Sequence, residues 1–326
     1  MSLKHRYWIL WNQFSIAIGS GLWALIVILR IFGLIALNGP ELLLLLAFFA
    51  ITPLVLRQVI SVSTQGLPFG VDCVAMITQP FAALFGGISL MIAPGLNAGI
   101  IAGVWLAFTG LIALLGIMML FRRGTGIDGA CLAVGLIYLP IGGAWFVMTR
   151  LGIQTLGFDQ HTVLLTAAHF HYIPLAALTL TGLTGHVLRE NQSRMVWKIY
   201  RVVAAGMIVY PPLVAVGITL TQLTGMRYVE TVAAILLAIN VLLLSALSLR
   251  FIVPITASLM GKGLLSISAC SVLLTMSFAI AYALGNATGA WTITISQMIA
   301  MHGWVNALAF GFCGLAGWNI KQAQQD

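Results

Sequence analysis

The chain has 326 residues, 61% of them apolar and only 7% charged, against roughly 25% charged residues in a soluble globular domain. That excludes a water-soluble fold, and several apolar runs reach the ~20 residues a helix needs to cross a hydrocarbon core. The formal charge of +8 is not accompanied by any aromatic-studded basic domain, so no nucleic-acid partner is expected.

Hydropathy, turn residues and charge divide the chain into ten predicted spans. The first, 8–29, follows the basic start MSLKHR; its apolar run is longer than a signal h-region and no small-x-small cleavage site ends it, so it is expected to be a permanent span. The second, 40–56, is short and interrupted by Pro53. Then come 73–93, 97–121, 128–148, 161–187, 202–223, 229–249, 264–284 and 292–318. The expected fold is all-α, a polytopic transmembrane helical bundle forming a single transmembrane domain over residues 1–326. Connections are short, so function must sit within the bundle or at its mouths. The densest basic stretch, RENQSRMVWKIYR at 189–201, is expected to be a loop along the membrane interface. Glycine-rich runs such as FGGIS (85–89) and IGGAWF (141–146) suit close helix contact. The four cysteines lack CxxC spacing and are expected to be small buried hydrophobes.

An even number of spans leaves both termini on one side. Lys4, Arg6, Arg57, Arg122, Arg123, Arg189, Arg194, Lys198, Arg201, Arg250, Lys262 and Lys321 fall on that side; Arg30, Arg150 and Arg227 fall on the other. The positive-inside rule then makes both termini cytoplasmic, with the lipid bilayer as the expected partner.

Ionisable groups inside spans are costly and serve as functional hypotheses. Glu41, Asp72, Asp128, Asp159, Glu190 and Glu230 lie close to predicted span ends, which leaves His169, His171 and His302 at depth. His169 comes ten residues into its span, about 15 Å at 1.5 Å per residue, and His302 comes at a matching depth in a span running the same way. His169 and His171 point about 200° apart around a helix and so cannot chelate one ion. Met298, His302 and Asn306 share one helix face, where Asn306 could hydrogen-bond the surroundings of His302 or a cofactor substituent.

HTVLLTAAHFHY (161–172) resembles the haem-copper oxidase helix carrying an A-H-F-H-Y sequence, and MHGWVNALAFGF (301–312) is similar to the helix with the opposing low-spin haem ligand. The resemblance implies that His169 ligates an active-site haem iron, while His171 and His302 ligate a low-spin haem. No H-P-E-V-Y segment and no His-His pair occur, so copper is not expected and oxygen reduction is not implied. Over its whole length the chain resembles the YndJ-like family of bacterial membrane proteins, through HFHY, MHGWVNALAFG and IYLPIGGAW (137–145). That family is sometimes labelled transporter-like.

The leading expectation is therefore a b-type haem, or another metal centre, held by His171 and His302, with His169 as a second ligand or a site facing substrate, Asn306 beside the cofactor, and a redox, sensing or cofactor-handling role. Partner subunits are not specified by the sequence. Two alternatives stand beside it: a transporter or permease with a histidine-lined path, and a membrane protein whose histidines only join helices.

Overall fold

The computed structural model describes residues 3–63, 70–122 and 124–322, with side chains except those of 3–9, 62, 63 and 191. Arg123 and the side chains of Lys4, His5 and Arg6 lie outside the described residues. The described chain is helical, with no strand, and ten helices are long and apolar enough to cross a membrane: α1 (Leu10–Ile31), α2 (Gly39–Ser61), α3 (Val71–Met91), α4 (Leu96–Leu120), α5 (Ile127–Leu151), α6 (Gln160–Glu190), α7 (Arg194–Thr224), α8 (Tyr228–Ile252), α9 (Leu259–Thr288) and α10 (Ile295–Gln322). Every span expected from hydropathy is present, and most extend by several residues.

The chain divides into two compact units. The first comprises residues 1–124 and 133–176, that is α1 to α4, most of α5 and α6 up to Ala176. Its core is α2, whose side chains are buried almost without interruption from Leu42 to Ile60. Pro53 does not break α2 as the sequence suggests. Proline removes a backbone donor, and the helix widens into a π turn at Ala47–Ile51 just before it. The Phe48 carbonyl, whose i+5 partner would be the missing Pro53 N–H, accepts instead from Gln79 Nε2 of α3 at 2.7 Å. Thr52 Oγ1 donates to Ala47 O at 2.8 Å, and the Pro53 carbonyl accepts from Asn12 Nδ2 of α1 at 3.2 Å. Two more neighbours donate to this helix: Trp23 Nε1 to Leu42 O at 2.8 Å and Tyr172 Oη of α6 to Leu43 O at 2.7 Å. In a bilayer a freed carbonyl must find a protein donor; Gln79 of α3 supplies it for Phe48, while side chains of α1 and α6 add further bonds to the helix. Glycines permit close approach to α2: a Cβ on Gly19 of α1 would overlap the Phe49 carbonyl, and one on Gly86 of the FGGIS run would stand 2.9 Å from the Phe48 ring.

The second unit comprises residues 125–132 and 177–326. From α6 onward, each consecutive helix pair is bridged by a side chain donating to a backbone carbonyl. Tyr200 Oη of α7 donates to Thr181 O of α6 at 3.1 Å, and Asn240 Nδ2 of α8 to Val203 O of α7 at 2.8 Å. Ser245 Oγ of α8 donates to Ala269 O of α9, and Ser268 Oγ of α9 to Phe310 O of α10 at 2.7 Å. Such interhelical bonds, with small residues at the contact, replace the hydrophobic effect as the adhesive between membrane helices.

The expected interfacial loop at 189–201 is mostly helix. α7 starts at Arg194, where Ser193 caps it by accepting from Val196 N, and ends at Gly225 in the left-handed conformation (φ 74°). At 1.5 Å per residue its 31 residues are about 46 Å long, beyond the ~30 Å hydrocarbon core. The basic residues ride on a helical extension that the charge pattern disguised as loop. Cys73 and Cys131 are buried as expected, but Cys270 is exposed.

Candidate functional site

The deep histidines occupy two settings, one in each unit. In the first unit α6 begins at Asp159, which caps it by accepting from Thr162 N at 2.8 Å; that bond holds the Asp159 carboxyl below the usual carboxylate range. Three turns on, His171 is fully buried. Its Nδ1 lies 2.7 Å from Ala167 O, and its Nε2 lies 2.8 Å from Trp105 Nε1 of α4. A carbonyl only accepts and an indole N–H only donates, so the ring is the neutral Nδ1–H tautomer with its lone pair directed at Trp105. Phe48 of α2 packs against both rings, at 4.1 Å from Trp105 and 5.3 Å from His171 between centroids. Gly142, from the IGGAW run, makes room: a Cβ there would lie 2.8 Å from His171 Nδ1 and 2.9 Å from Phe170 Cβ. The neighbouring Tyr172 donates to α2. The polar half of HFHY thus fastens α6 to α4 and α2.

His169, two residues earlier, is exposed, as its direction about 200° from His171 requires.

In the second unit, α10 carries π-helical stretches at Ile299–Gly303 and Asn306–Cys313. His302 Nδ1 lies 2.9 Å from Thr275 O of α9, and Asn306 Nδ2 donates to His302 Nε2 at 3.2 Å. The structure therefore brings His302 and Asn306 together. The amide oxygen of Asn306 is buried with no donor facing it. π turns recur at functional positions because they displace side chains and free carbonyls. Here Asn306 opens one such stretch.

Haem iron requires the lone pair of one ring nitrogen. At His171 that lone pair is occupied by the Trp105 N–H, and at His302 by the Asn306 amide. As arranged, neither imidazole fits axial ligation. Among the described residues, no group of three or more His, Cys, Asp or Glu side chains is placed to hold a metal ion.

Reading the sequence alone missed three things. Trp105 as the partner of His171 leaves no trace beyond a tryptophan deep in a span. Asp128 is buried at the start of α5 against Arg189 Nη1 (3.3 Å), with His186 Nδ1 at 4.0 Å; its place near a span end suggested solvent. Arg150, read as a topogenic charge, is buried too.

Comparison with known proteins places these sites in a family. The family profile described as YndJ-like protein matches residues 42–310, which takes in His171, His302 and Asn306. A Bacillus subtilis (strain 168) protein described as "Uncharacterized membrane protein YndJ" is 29% identical over 303 residues, covering 90% of this chain and 52% of the relative. The chain thus spans about half the length of that curated relative. No solved structure matches.

Proposed function

The chain belongs to the YndJ-like family of multi-pass membrane proteins, and from that premise we propose that it is a permease-type membrane protein whose deep histidines work without haem. The observation that carries this reading is the hydrogen bonding of each deep imidazole, His171 fully buried and His302 half-buried. Each donates one N–H to a backbone carbonyl and has its other nitrogen occupied by a protein N–H.

The two histidines then differ in one chemical respect. Protonation at His171 Nε2 would set two donors against each other, because Trp105 cannot accept. Protonation at His302 Nε2 has an outlet: a half-turn of the Asn306 amide presents Oδ1, which now lacks a donor, to the new N–H. His171 is a fixed tie between helices, and His302–Asn306 is the polar position at which a proton or a polar solute acts. Among the described residues no carboxylate lies deep in a span to take that role, which leaves imidazole as the protonatable group. With ten spans, the distribution of basic residues supports cytoplasmic termini in a bacterial inner membrane.

The test is an imposed pH gradient across liposomes containing the purified protein and a trapped pH-sensitive dye. Proton uptake above that of empty vesicles is expected, abolished in His302→Gln and kept in the double variant Trp105→Phe, His171→Phe. Uptake that survives His302→Gln contradicts the reading. So does a Soret band, in protein expressed with added haem, that disappears in both His171→Ala and His302→Ala.

A further inference from the structure

Arg150, at the end of α5 in the first unit, is 3% exposed. A buried guanidinium ordinarily has a carboxylate beside it. Among the described residues, Arg150 makes no ion-pair contact with a carboxylate. Its Nη2 donates to the Ile92 carbonyl, its own carbonyl accepts from Gly95 N at 2.8 Å, and its Nε is buried without a partner. Glu41 is the acid whose field reaches it, but that carboxylate is engaged in the cap of α2, accepting from Asn38 N at 2.7 Å.

The connection from α5 to α6 adds to this surplus of donors. Thr155 Oγ1 and Gln160 Nε2 are both buried and unpartnered. Between them Leu156 adopts φ 55°, a left-handed conformation that non-glycine residues avoid and that recurs at ligand sites. Phe158 is buried against Trp145, with ring centroids 6.2 Å apart, so the connection is folded back on α5. The 92–95 turn is bonded to Arg150 twice, through Ile92 and Gly95.

A guanidinium N–H, an amide N–H and a hydroxyl are thus left without acceptors between Arg150 and Gln160, and no carboxylate touches the guanidinium. Water would satisfy the donors but would bring no charge into contact with the guanidinium. A phosphate group supplies both, with a negative charge and three strong acceptor oxygens. We infer that the end of the first unit formed by Arg150, the 92–95 turn and the 152–160 connection is a binding site for a phosphate oxyanion, either free or on a lipid headgroup. The site is independent of the reading of His302.

The experiment uses the full chain in dodecyl maltoside micelles and phosphate-free buffer, with the melting temperature as readout. One arm titrates inorganic phosphate against chloride at equal ionic strength; the other adds phosphatidylglycerol. A saturable rise in either arm is expected, with phosphate alone indicating a free anion and the lipid alone a headgroup. Arg150→Gln is expected to weaken the response about tenfold or more, as loss of a charge-assisted contact does. Thr155→Val and Gln160→Leu keep the arginine and should each weaken it several-fold, so they decide the matter if Arg150→Gln does not fold. A wild-type protein that responds to neither, or responses unchanged in the variants that fold, overturns the site.

Discussion

The contact between Trp105 and His171 can be measured by a double-mutant cycle. Trp105→Phe removes the indole N–H and leaves the lone pair of a fully buried imidazole without a donor. An orphaned buried acceptor costs about 1–3 kcal/mol, whereas polar contacts between membrane helices average about 0.6 kcal/mol with a maximum near 1.7. Trp105 also packs against Phe48 and Phe108, with centroids at 4.1 and 5.1 Å, so the smaller ring adds a cavity cost of about 1 kcal/mol. A loss of about 2 kcal/mol is therefore expected. His171→Phe strands the indole N–H and releases Ala167 O, for a loss of about 1–2 kcal/mol. The double variant leaves neither ring with a polar atom to satisfy, and its loss should fall short of the sum by about 1 kcal/mol. The assay is reversible unfolding in mixed micelles titrated with dodecyl sulfate, followed by far-ultraviolet circular dichroism. Additivity within about 0.3 kcal/mol would refute the assignment of His171 as a neutral tie.

Three further outcomes follow from the same geometry. Gly142→Ala places a Cβ 2.8 Å from His171 Nδ1 and should cost about 1–3 kcal/mol by overpacking in the same unfolding assay; His171→Ala in the same chain should relieve most of it. Gln79→Leu strips the Phe48 carbonyl of its donor and should cost about 1–2 kcal/mol with helix content unchanged by circular dichroism. Asp159→Ala removes the cap of α6 for about 1 kcal/mol, while Asp159→Asn largely preserves it. Because the Thr162 N–H depresses the folded carboxyl's pKa, the added stability is present above the ordinary carboxylate range and lost as pH falls through the folded value. The wild-type to Asp159→Ala difference should therefore shrink in acid.

Hydropathy reveals where the helices are because a span is a local property of about twenty residues. It does not reveal how a helix survives an interruption. The continuity of α2 through Pro53 depends on Gln79, a residue in the next span that takes up the freed Phe48 carbonyl. The 189–201 segment failed for a related reason: charge marks where a chain leaves hydrocarbon, whereas the helix is ended by its caps, Ser193 and Gly225. The same gap governs the histidines. Their depth and the opposed directions of His169 and His171 were legible from helix geometry. The i, i+4 spacing also put Asn306 beside His302. The partners on other helices were not legible, since Trp105 and Thr275 lie 66 and 27 residues from the histidines they bond. A short local resemblance to haem-binding helices could not supply that information, because it depends on Trp105 and Thr275, which lie outside both matching stretches.

The enclosure of α2 has a consequence for how the protein is made. A helix with almost every side chain buried offers lipid little surface, and its Phe48 and Pro53 carbonyls depend on donors from α3 and α1. When α2 first enters the bilayer, α3 has yet to be synthesised, so Phe48 waits for a donor from a later segment. The first three spans then cannot reach their final state one at a time: α2 remains incompletely satisfied until α3 arrives, and the three settle as one hairpin-and-a-half. A substitution at Gln79 should therefore register in the cell first as slower maturation and faster proteolysis of the newly made chain, before any defect is visible in the protein that escapes.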